Sequence, residues 1–165
     1  MQHVQTRSTT SALVLTAVLI ALATLFTMYT KIPVPGIRGY FNVGDVVIMT
    51  SALLLGRKYG AYIGAIGPAL ADLFLGYAVF VPITFVVKGI EGYLVGTVYN
   101  HKTTTSALVA TILGGIIIVA GYFIAEYFVF DPGVAIAGIL TNTIQAVMSV
   151  IISMILYAIL RRRLG

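Results

Sequence analysis

The chain has 165 residues, of which 59% are hydrophobic and 9% are charged, whereas an ordinary soluble domain carries about 25% charged residues. Ten basic and five acidic residues cannot cover the surface of a water-soluble domain of this size, so the composition indicates a protein embedded in a bilayer. The absence of cysteine excludes disulfides and thiol catalysis. With only two histidines, near predicted helix ends, no metal site and no cofactor are predicted.

Apolar segments divide the whole chain into membrane-spanning lengths. At about 20 apolar residues per crossing, residues 1–165 form a single membrane domain, which we predict to be an all-α bundle of six transmembrane helices. The predicted helices cover about 10–29, 45–56, 59–75, 79–99, 104–127 and 133–160. The first could instead be a cleavable signal peptide, but its apolar run is longer than usual and no clear cleavage site follows it.

The segments between helices carry recognisable boundary residues. Residues 31–44 contain two prolines and three glycines, which predicts a long structured loop outside the membrane between helices 1 and 2. Asp45 is predicted to be the N-cap of the second helix, and Arg57 and Lys58 are predicted to end it. Asp131 is predicted to cap the sixth helix, with Pro132 in its first position.

Small residues recur in the third predicted helix. Gly60, Gly64 and Gly67 are spaced so that they give this helix small faces. Such faces let the backbones of neighbouring membrane helices approach closely. We therefore predict that the third helix packs tightly inside the bundle.

Basic residues are distributed unevenly between the two sides of the predicted bundle. An even number of helices places both termini on one side, together with the connections after helices 2 and 4. Seven basic residues lie on that side, against Lys31 and Arg38 on the other; the seven are Arg7, Arg57, Lys58, Lys102, Arg161, Arg162 and Arg163. The positive-inside rule therefore predicts that both termini are cytoplasmic.

Polar residues within the predicted helices concentrate in the outer half of the membrane. Four of the five acids lie near outer helix ends, and the polar residues of helices 4 and 6 reach about 12 to 18 Å along them. This distribution predicts an outward-facing pocket and not a continuous pore. The candidate ligand contacts are Lys88, Glu91, Asn142, Gln145, Asp72, Tyr40, Phe41, Asn42 and Tyr122. Of these, Tyr40, Phe41 and Asn42 lie on the long loop and are predicted to form a lid.

Lys88 and Glu91 are the strongest signal, because each charge costs about 2.5–3.5 kcal/mol near the centre of a membrane helix. At positions i and i+3 they share one face, so they either pair only with each other or also contact a ligand. Asn142 and Gln145, at the same spacing, either form interhelical hydrogen bonds or contact the ligand.

Enzyme signatures are missing from the sequence. It has no G-x-x-x-x-G-K-[ST], H-E-x-x-H or G-x-S-x-G motif. The chain is therefore predicted not to be an enzyme, and any energy from ATP must come from another protein.

Three segments of the sequence resemble a known family. YFNVGDVVIMTSALLLG, GAIGPALADLFLGY and PITFVVKGIEG occur in this order between residues 40 and 92. They resemble the membrane-embedded substrate-binding S components of energy-coupling factor (ECF) vitamin transporters, in the branch for riboflavin, pyridoxine and hydroxymethylpyrimidine. Helices 5 and 6 match that family only in hydropathy.

The resemblance implies a prokaryotic plasma-membrane protein with six helices, cytoplasmic termini, an outer vitamin pocket and a first loop that acts as a lid. It also implies that small residues of helix 1, here Ala17 and Ala21, dock onto a transmembrane coupling subunit driven by two ATPases. The vitamin is captured from outside, and the loaded subunit reorients to release it inward.

The substrate stays open between pyridoxine or pyridoxamine, hydroxymethylpyrimidine and riboflavin, with a slight preference for the smaller rings. Two other functions are also considered. One is a small carrier or channel that needs no partner, and the other is an intramembrane lipid hydrolase with Asp72 and Glu91 as paired carboxylates.

Overall fold

The computed structural model describes residues 9–30, 32–33, 40–100 and 103–164. These residues form six α-helices and one short antiparallel ribbon. The helices are α1 (Thr9–Tyr29), α2 (Gly44–Leu55), α3 (Arg57–Phe74), α4 (Phe80–Val98), α5 (Thr104–Val129) and α6 (Pro132–Leu164), and the strands are β1 (Ile32–Pro33) and β2 (Tyr40–Phe41). The ribbon lies within the predicted first loop.

Four helices, α1, α4, α5 and α6, are long and apolar enough to cross a membrane. With 12 residues, α2 is about 18 Å long, which is shorter than a bilayer core. Helix α3 has 18 residues, about 27 Å, and includes three charged residues, Arg57, Lys58 and Asp72. The predicted helical membrane class is therefore confirmed, whereas six full crossings remain a prediction.

Two groups of basic residues differ in position from the sequence prediction. Arg57 and Lys58 were predicted to end the second helix, but they begin α3. The break falls at Gly56, whose φ of 88° lies in the left-handed region that glycine adopts without steric cost. The terminal arginines, Arg161–Arg163, are part of the last turn of α6, where cations interact favourably with the helix dipole.

Glycines bring α3 and α4 into backbone contact. A Cβ atom on Gly64 would collide with the carbonyl oxygen of Lys88, and one on Gly92 would collide with the carbonyl oxygen of Gly60. On the other side of α3, a Cβ on Gly67 would lie 2.7 Å from that of Ala23 in α1. These distances agree with the predicted close packing of the third helix.

The contact between α5 and α6 is built differently. A Cβ on Gly115 would lie 3.2 Å from the Cβ of Ala146, which is tight but free of backbone collision. Between the two helices, apolar side chains border a surface groove of about 570 Å³. At the end that carries the chain termini, Tyr99 after α4 and Tyr157 of α6 pack edge to face and share a hydrogen bond between their hydroxyl groups.

The ribbon leads the chain from α1 into α2. Ile32 pairs with Phe41, and Pro33 pairs with Tyr40. The next residue, Asn42, is buried, and its side-chain Oδ1 accepts a hydrogen bond of 2.8 Å from the backbone N–H of Gly44. The ribbon therefore places the buried amide side chain of Asn42 at the beginning of α2.

Candidate functional site

A polar cavity lies at the end of the bundle opposite the chain termini. It has a volume of about 40 Å³, room for about three water molecules. Five helices contribute, α1, α3 and α5 with residues toward their ends and α4 and α6 with residues from their first halves, and Asn42 contributes from the segment before α2. The lining residues are Thr27, Asn42, Pro68, Asp72, Phe80, Thr84, Lys88, Tyr122, Glu126, Gly138, Thr141, Asn142 and Gln145.

Lys88 is the cation of the cavity wall. Its Nζ lies 2.5 Å from Asp45 Oδ1 and 3.7 Å from Glu91 Oε2, and all three side chains are at least 98% buried. The nearer partner is Asp45, so the pairing of Lys88 with Glu91 considered from the sequence is only the longer of two contacts. The ion pair with Asp45 connects α4 to α2, whereas the contact with Glu91 lies within α4.

The predicted N-cap role of Asp45 is wrong. Helix α2 begins at Gly44, and its N-cap position, Val43, makes no side-chain capping hydrogen bond. A capping residue must precede the helix, whereas Asp45 lies in the first turn and is fully buried. Its carboxylate instead binds Lys88. By contrast, Asp131 caps α6 as predicted, since its Oδ1 accepts a 3.0 Å hydrogen bond from the N–H of Val134.

Gln145 joins α6 to the same group of charges. Its Nε2 donates a 2.7 Å hydrogen bond to Asp45 Oδ2, and its Oε1 accepts a 3.0 Å hydrogen bond from the backbone N–H of Asn42. One amide side chain therefore holds the beginning of α2, the end of the ribbon and α6 together. Gln145 therefore makes the interhelical hydrogen bonds that were considered for it, and it also lines the cavity, so its contact with a ligand stays a prediction.

Glu91 is separated from the cavity. It is fully buried, and neither of its carboxylate oxygens has a hydrogen-bond partner among the described residues. It does not belong to the lining, and its Cγ lies 3.5 Å from where Gly114 of α5 would carry a Cβ atom. The structure therefore places Glu91 between α4 and α5, where its closest charged contact is Lys88.

The other predicted contacts on the helices converge on the cavity. Asp72 is 3% exposed and contributes to the wall from α3, and Asn142 contributes from α6. The Tyr122 hydroxyl lies 2.9 Å from Thr84 Oγ1, and its ring centroid lies 5.4 Å from Lys88 Nζ. An aromatic face, a cation, a carboxylate and amides thus surround one small space.

The loop residues are only partly described. Asn42 lines the cavity, and its predicted roles as a ligand contact and as part of a lid stay predictions. Tyr40 and Phe41 form β2, but their side chains lie outside the described part of the chain. The lid role proposed for those two aromatic rings therefore stays a prediction.

Several lining residues were not identified from the sequence. Thr84 and Gly138 lie one helical turn before Lys88 and Asn142 respectively, so helical spacing from the predicted contacts would have found them. Glu126, one of the four acids near outer helix ends, was not among the predicted ligand contacts. Thr27 carries a buried hydroxyl with no hydrogen-bond partner among the described residues, a feature that only the structure reveals.

Ala17 and Ala21 lie on the outer surface of α1. Both are exposed, whereas Thr24 and Thr27 lie on the buried side of the helix. The Oγ1 of Thr24 donates a 2.9 Å hydrogen bond to the carbonyl oxygen of Gly67. Within the described residues, the pair of alanines is thus left uncovered, and the contact of α1 with α3 uses a different face.

A bundle of apolar helices with a cavity at one end that is lined by charged, amide and aromatic side chains is typical of a membrane protein that binds a polar ligand. The family model described as "ECF-type riboflavin transporter, S component" matches residues 7–162. The chain belongs to this family.

Individual relatives and a solved structure agree with that assignment. The chain is 41% identical over 145 residues to an "Uncharacterized protein in gap 3'region" of Pyrococcus woesei, covering 86% of this chain and 96% of the relative. It is 30% identical over 148 residues to the "Thiamine precursor transporter HmpT" of Lactococcus lactis subsp. cremoris, covering 89% and 83%. The solved S component of a bacterial ECF transporter has the same fold, with a TM-score of 0.71 at 20% identity over 93% of this chain and 96% of that one.

The comparisons confirm the resemblance noted in the sequence. The chain is a prokaryotic membrane transport protein and not an enzyme, since its family and its structural neighbour are transporter S components. The alternative of an intramembrane hydrolase is thereby excluded.

Proposed function

We propose that this chain captures a single-ring heteroaromatic vitamin or vitamin precursor from outside the cell and delivers it to ATP-driven partner subunits. The candidates are hydroxymethylpyrimidine, pyridoxine and pyridoxamine. The observation that carries the proposal is the cavity itself, in which Lys88, Asp72 and Asn142 lie beside the ring of Tyr122. Polar groups around an aromatic wall suit a flat ring with hydroxyl or amino substituents.

The size of the cavity favours the smaller ligands. A volume of about 40 Å³ means that any of these ligands requires the lining to move, but a single ring requires much less movement than the tricyclic ring of riboflavin. The name of the Lactococcus relative, a thiamine precursor transporter, supports the same choice.

The proposed orientation places the cavity on the outer side of the membrane. Arg57, Lys58 and Arg161–Arg163 are exposed, and they belong to the helix ends opposite the cavity. The positive-inside rule assigns that end, with both termini, to the cytoplasm. In this orientation α2 and α3 complete a bundle of six crossings, and most residues of the short helix α2 are buried among the other helices.

The proposed partners are a transmembrane coupling subunit and two ATPase subunits. The exposed side of α1 with Ala17 and Ala21 supports this proposal, because small residues permit close approach of another membrane helix. Replacing both alanines with leucine should prevent assembly with the coupling subunit and leave ligand affinity within about twofold. If the complex still forms, α1 is not the docking surface.

The substrate is tested by purifying the chain in mild detergent and identifying any co-purified small molecule by mass spectrometry. Calorimetric titration with hydroxymethylpyrimidine, pyridoxine, pyridoxamine and riboflavin then ranks their affinities. We expect a single-ring compound to bind at least tenfold more tightly than riboflavin. Riboflavin as the tightest ligand would overturn the proposed substrate class, and uptake into liposomes by this chain alone would overturn the need for partners.

A further inference from the structure

Glu126 is a carboxylate on the cavity wall without a hydrogen-bonded partner for one of its oxygens. It belongs to α5, one turn before the helix ends at Val129, and it is 4% exposed. Its Oε2 has no hydrogen-bond partner among the described residues. Burying a charged oxygen without a hydrogen-bond partner costs free energy in the folded state. Such an atom therefore indicates a position where another group binds.

Gly138 of α6 makes room for this carboxylate. A Cβ atom at position 138 would collide with Glu126 Oε2, and it would lie 3.5 Å from Asn142 Nδ2. Glu126, Gly138 and Asn142 all line the cavity. The carboxylate therefore lies against bare backbone on one side and borders the cavity that we propose for the ligand.

Among the described residues, Glu126 takes part in no ion pair. Lys88 is the basic side chain among the described lining residues, and its Nζ is 2.5 Å from Asp45 Oδ1 and 3.7 Å from Glu91 Oε2. Asp72 adds a second carboxylate to the wall. Asp45 and Glu91 lie beside Lys88 but outside the lining, and the described lining residues carry two acids and one base. A ligand that brings positive charge or N–H donors reduces this excess of negative charge.

We propose that Glu126 is a specificity-determining residue that accepts hydrogen bonds from an amino group of the ligand. The inference rests on the proposed function and makes it narrower. The preferred substrate class is an amine-bearing single-ring heteroaromatic compound, selected over an otherwise identical compound with a hydroxyl group in place of the amino group. The preference arises because a protonated amino group brings positive charge to the buried carboxylate, whereas a hydroxyl group brings none.

Two matched pairs of probes test the proposal on the full-length protein in detergent. The first pair is pyridoxamine and pyridoxine. The second is hydroxymethylpyrimidine with its amino group and the analogue with a hydroxyl group at that position, whose stable tautomer presents a carbonyl acceptor there. We expect the wild-type protein to bind at least one amine-bearing probe tenfold or more tightly than its hydroxyl partner. Glu126→Gln should remove most of this preference while changing affinity for the hydroxyl partner by less than threefold.

Asp131→Asn is the matched control. It removes one negative charge from the same end of the bundle, where Asp131 is exposed and caps α6, and asparagine caps a helix equally well. This variant should retain the full preference for the amine, because its charge does not contact the ligand.

The results separate the two proposals. If the wild-type protein binds the hydroxyl probes as tightly as the amines, the proposed role of Glu126 is overturned by that measurement alone. The proposed function is then unaffected. An equal loss of both probes in Glu126→Gln also overturns it, because a structural role would lower both affinities alike. Wild-type protein that binds none of the four probes overturns the proposed single-ring function and this inference with it.

Discussion

The α3–α4 pair and the α5–α6 pair border the same cavity but are held together in different ways. Between α3 and α4, Gly60, Gly64 and Gly92 bring backbone against backbone, so there is no space for even one added methyl group. Between α5 and α6, side chains make the contact and border an apolar groove of about 570 Å³. The first pair is a close-packed unit, and the second has more space to adjust.

This difference assigns different tasks to the two sides of the cavity. The closely packed side carries Lys88 and Asp72, whose positions depend on backbone contacts that cannot shift without collision. The other side carries Tyr122, Glu126 and Asn142. We therefore expect α5 and α6 to provide most of the movement needed to admit a ligand, while α3 and α4 stay in place.

The largest fall in stability and in ligand affinity is expected for Lys88→Met, because this substitution leaves Asp45 and Glu91 buried without their cation. Breaking one side of a buried ion pair costs about 3–5 kcal/mol. We expect a large fall in the Tm measured in detergent and a loss of ligand binding. A second substitution, Asp45→Asn, should restore part of the lost Tm, because it removes a buried negative charge that Lys88 no longer balances.

Glu91→Gln is the control for this change, since Glu91 is buried near Lys88 but does not line the cavity. Its ligand affinity should stay within about threefold of wild type. A Lys88→Met protein with wild-type affinity would show that the ion pair is unrelated to the binding site.

The next effect in size is expected for Gly64→Ala, a substitution on the closely packed side. The new Cβ meets the carbonyl oxygen of Lys88, which is backbone and cannot rotate away. Overpacking of this kind typically costs about 1–3 kcal/mol. The Tm should fall, and the displaced α4 should also weaken ligand binding; an unchanged Tm would contradict the described backbone contact.

Gln145→Leu is expected to have an intermediate effect on stability, because it removes the hydrogen bonds that join α6 to Asp45 of α2 and to Asn42 after the ribbon. The variant leaves Asp45 Oδ2 and the Asn42 N–H without their described partner, at a cost of about 1–3 kcal/mol. Hydrogen exchange measured by mass spectrometry should become faster in peptides that contain Asn42. Unchanged exchange there, with the protein folded, would show that this hydrogen bond does not hold the ribbon.

The smallest effect is expected for Gly115→Ala, the same substitution as Gly64→Ala but between α5 and α6. Here the new Cβ would lie 3.2 Å from the Cβ of Ala146, and the groove beside it gives the helices room to shift. Alanine is favoured over glycine inside a helix by about 0.5–1 kcal/mol, which offsets the tight contact. The Tm should change by only a few degrees, and a fall as large as that of Gly64→Ala would remove the distinction between the two helix pairs.

The sequence was informative where backbone contact requires particular residues. Glycines at positions 60, 64 and 67 indicated close helix contact, because no other residue lets backbones approach so nearly. Charged residues such as Lys88 were also conspicuous, since a bilayer makes each one costly. The closely packed side was for this reason also the part whose sequence resembled the family.

Helices α5 and α6 show the opposite case. Their contacts use common apolar residues, so no pattern marked Gly138 as the space that admits the Glu126 carboxylate. The sequence also did not show which carboxylate lies closer to Lys88. Glu91 is three residues away along the chain, whereas the closer partner, Asp45, is 43 residues away. Sequence spacing detects neighbours on one helix and does not detect contacts between helices.

The sequence by itself determined that this chain is a helical membrane protein, that its polar residues gather at one end and that its family is that of vitamin-transporter S components. Hydropathy, the cost of buried charge and the positions of glycines act along the chain, so they can be recognised without a fold. Only the tertiary structure decided that Asp45 binds Lys88, that Glu91 lies away from the cavity and that Glu126 borders it. These outcomes depend on how six helices rotate against one another, which is settled by packing between distant segments.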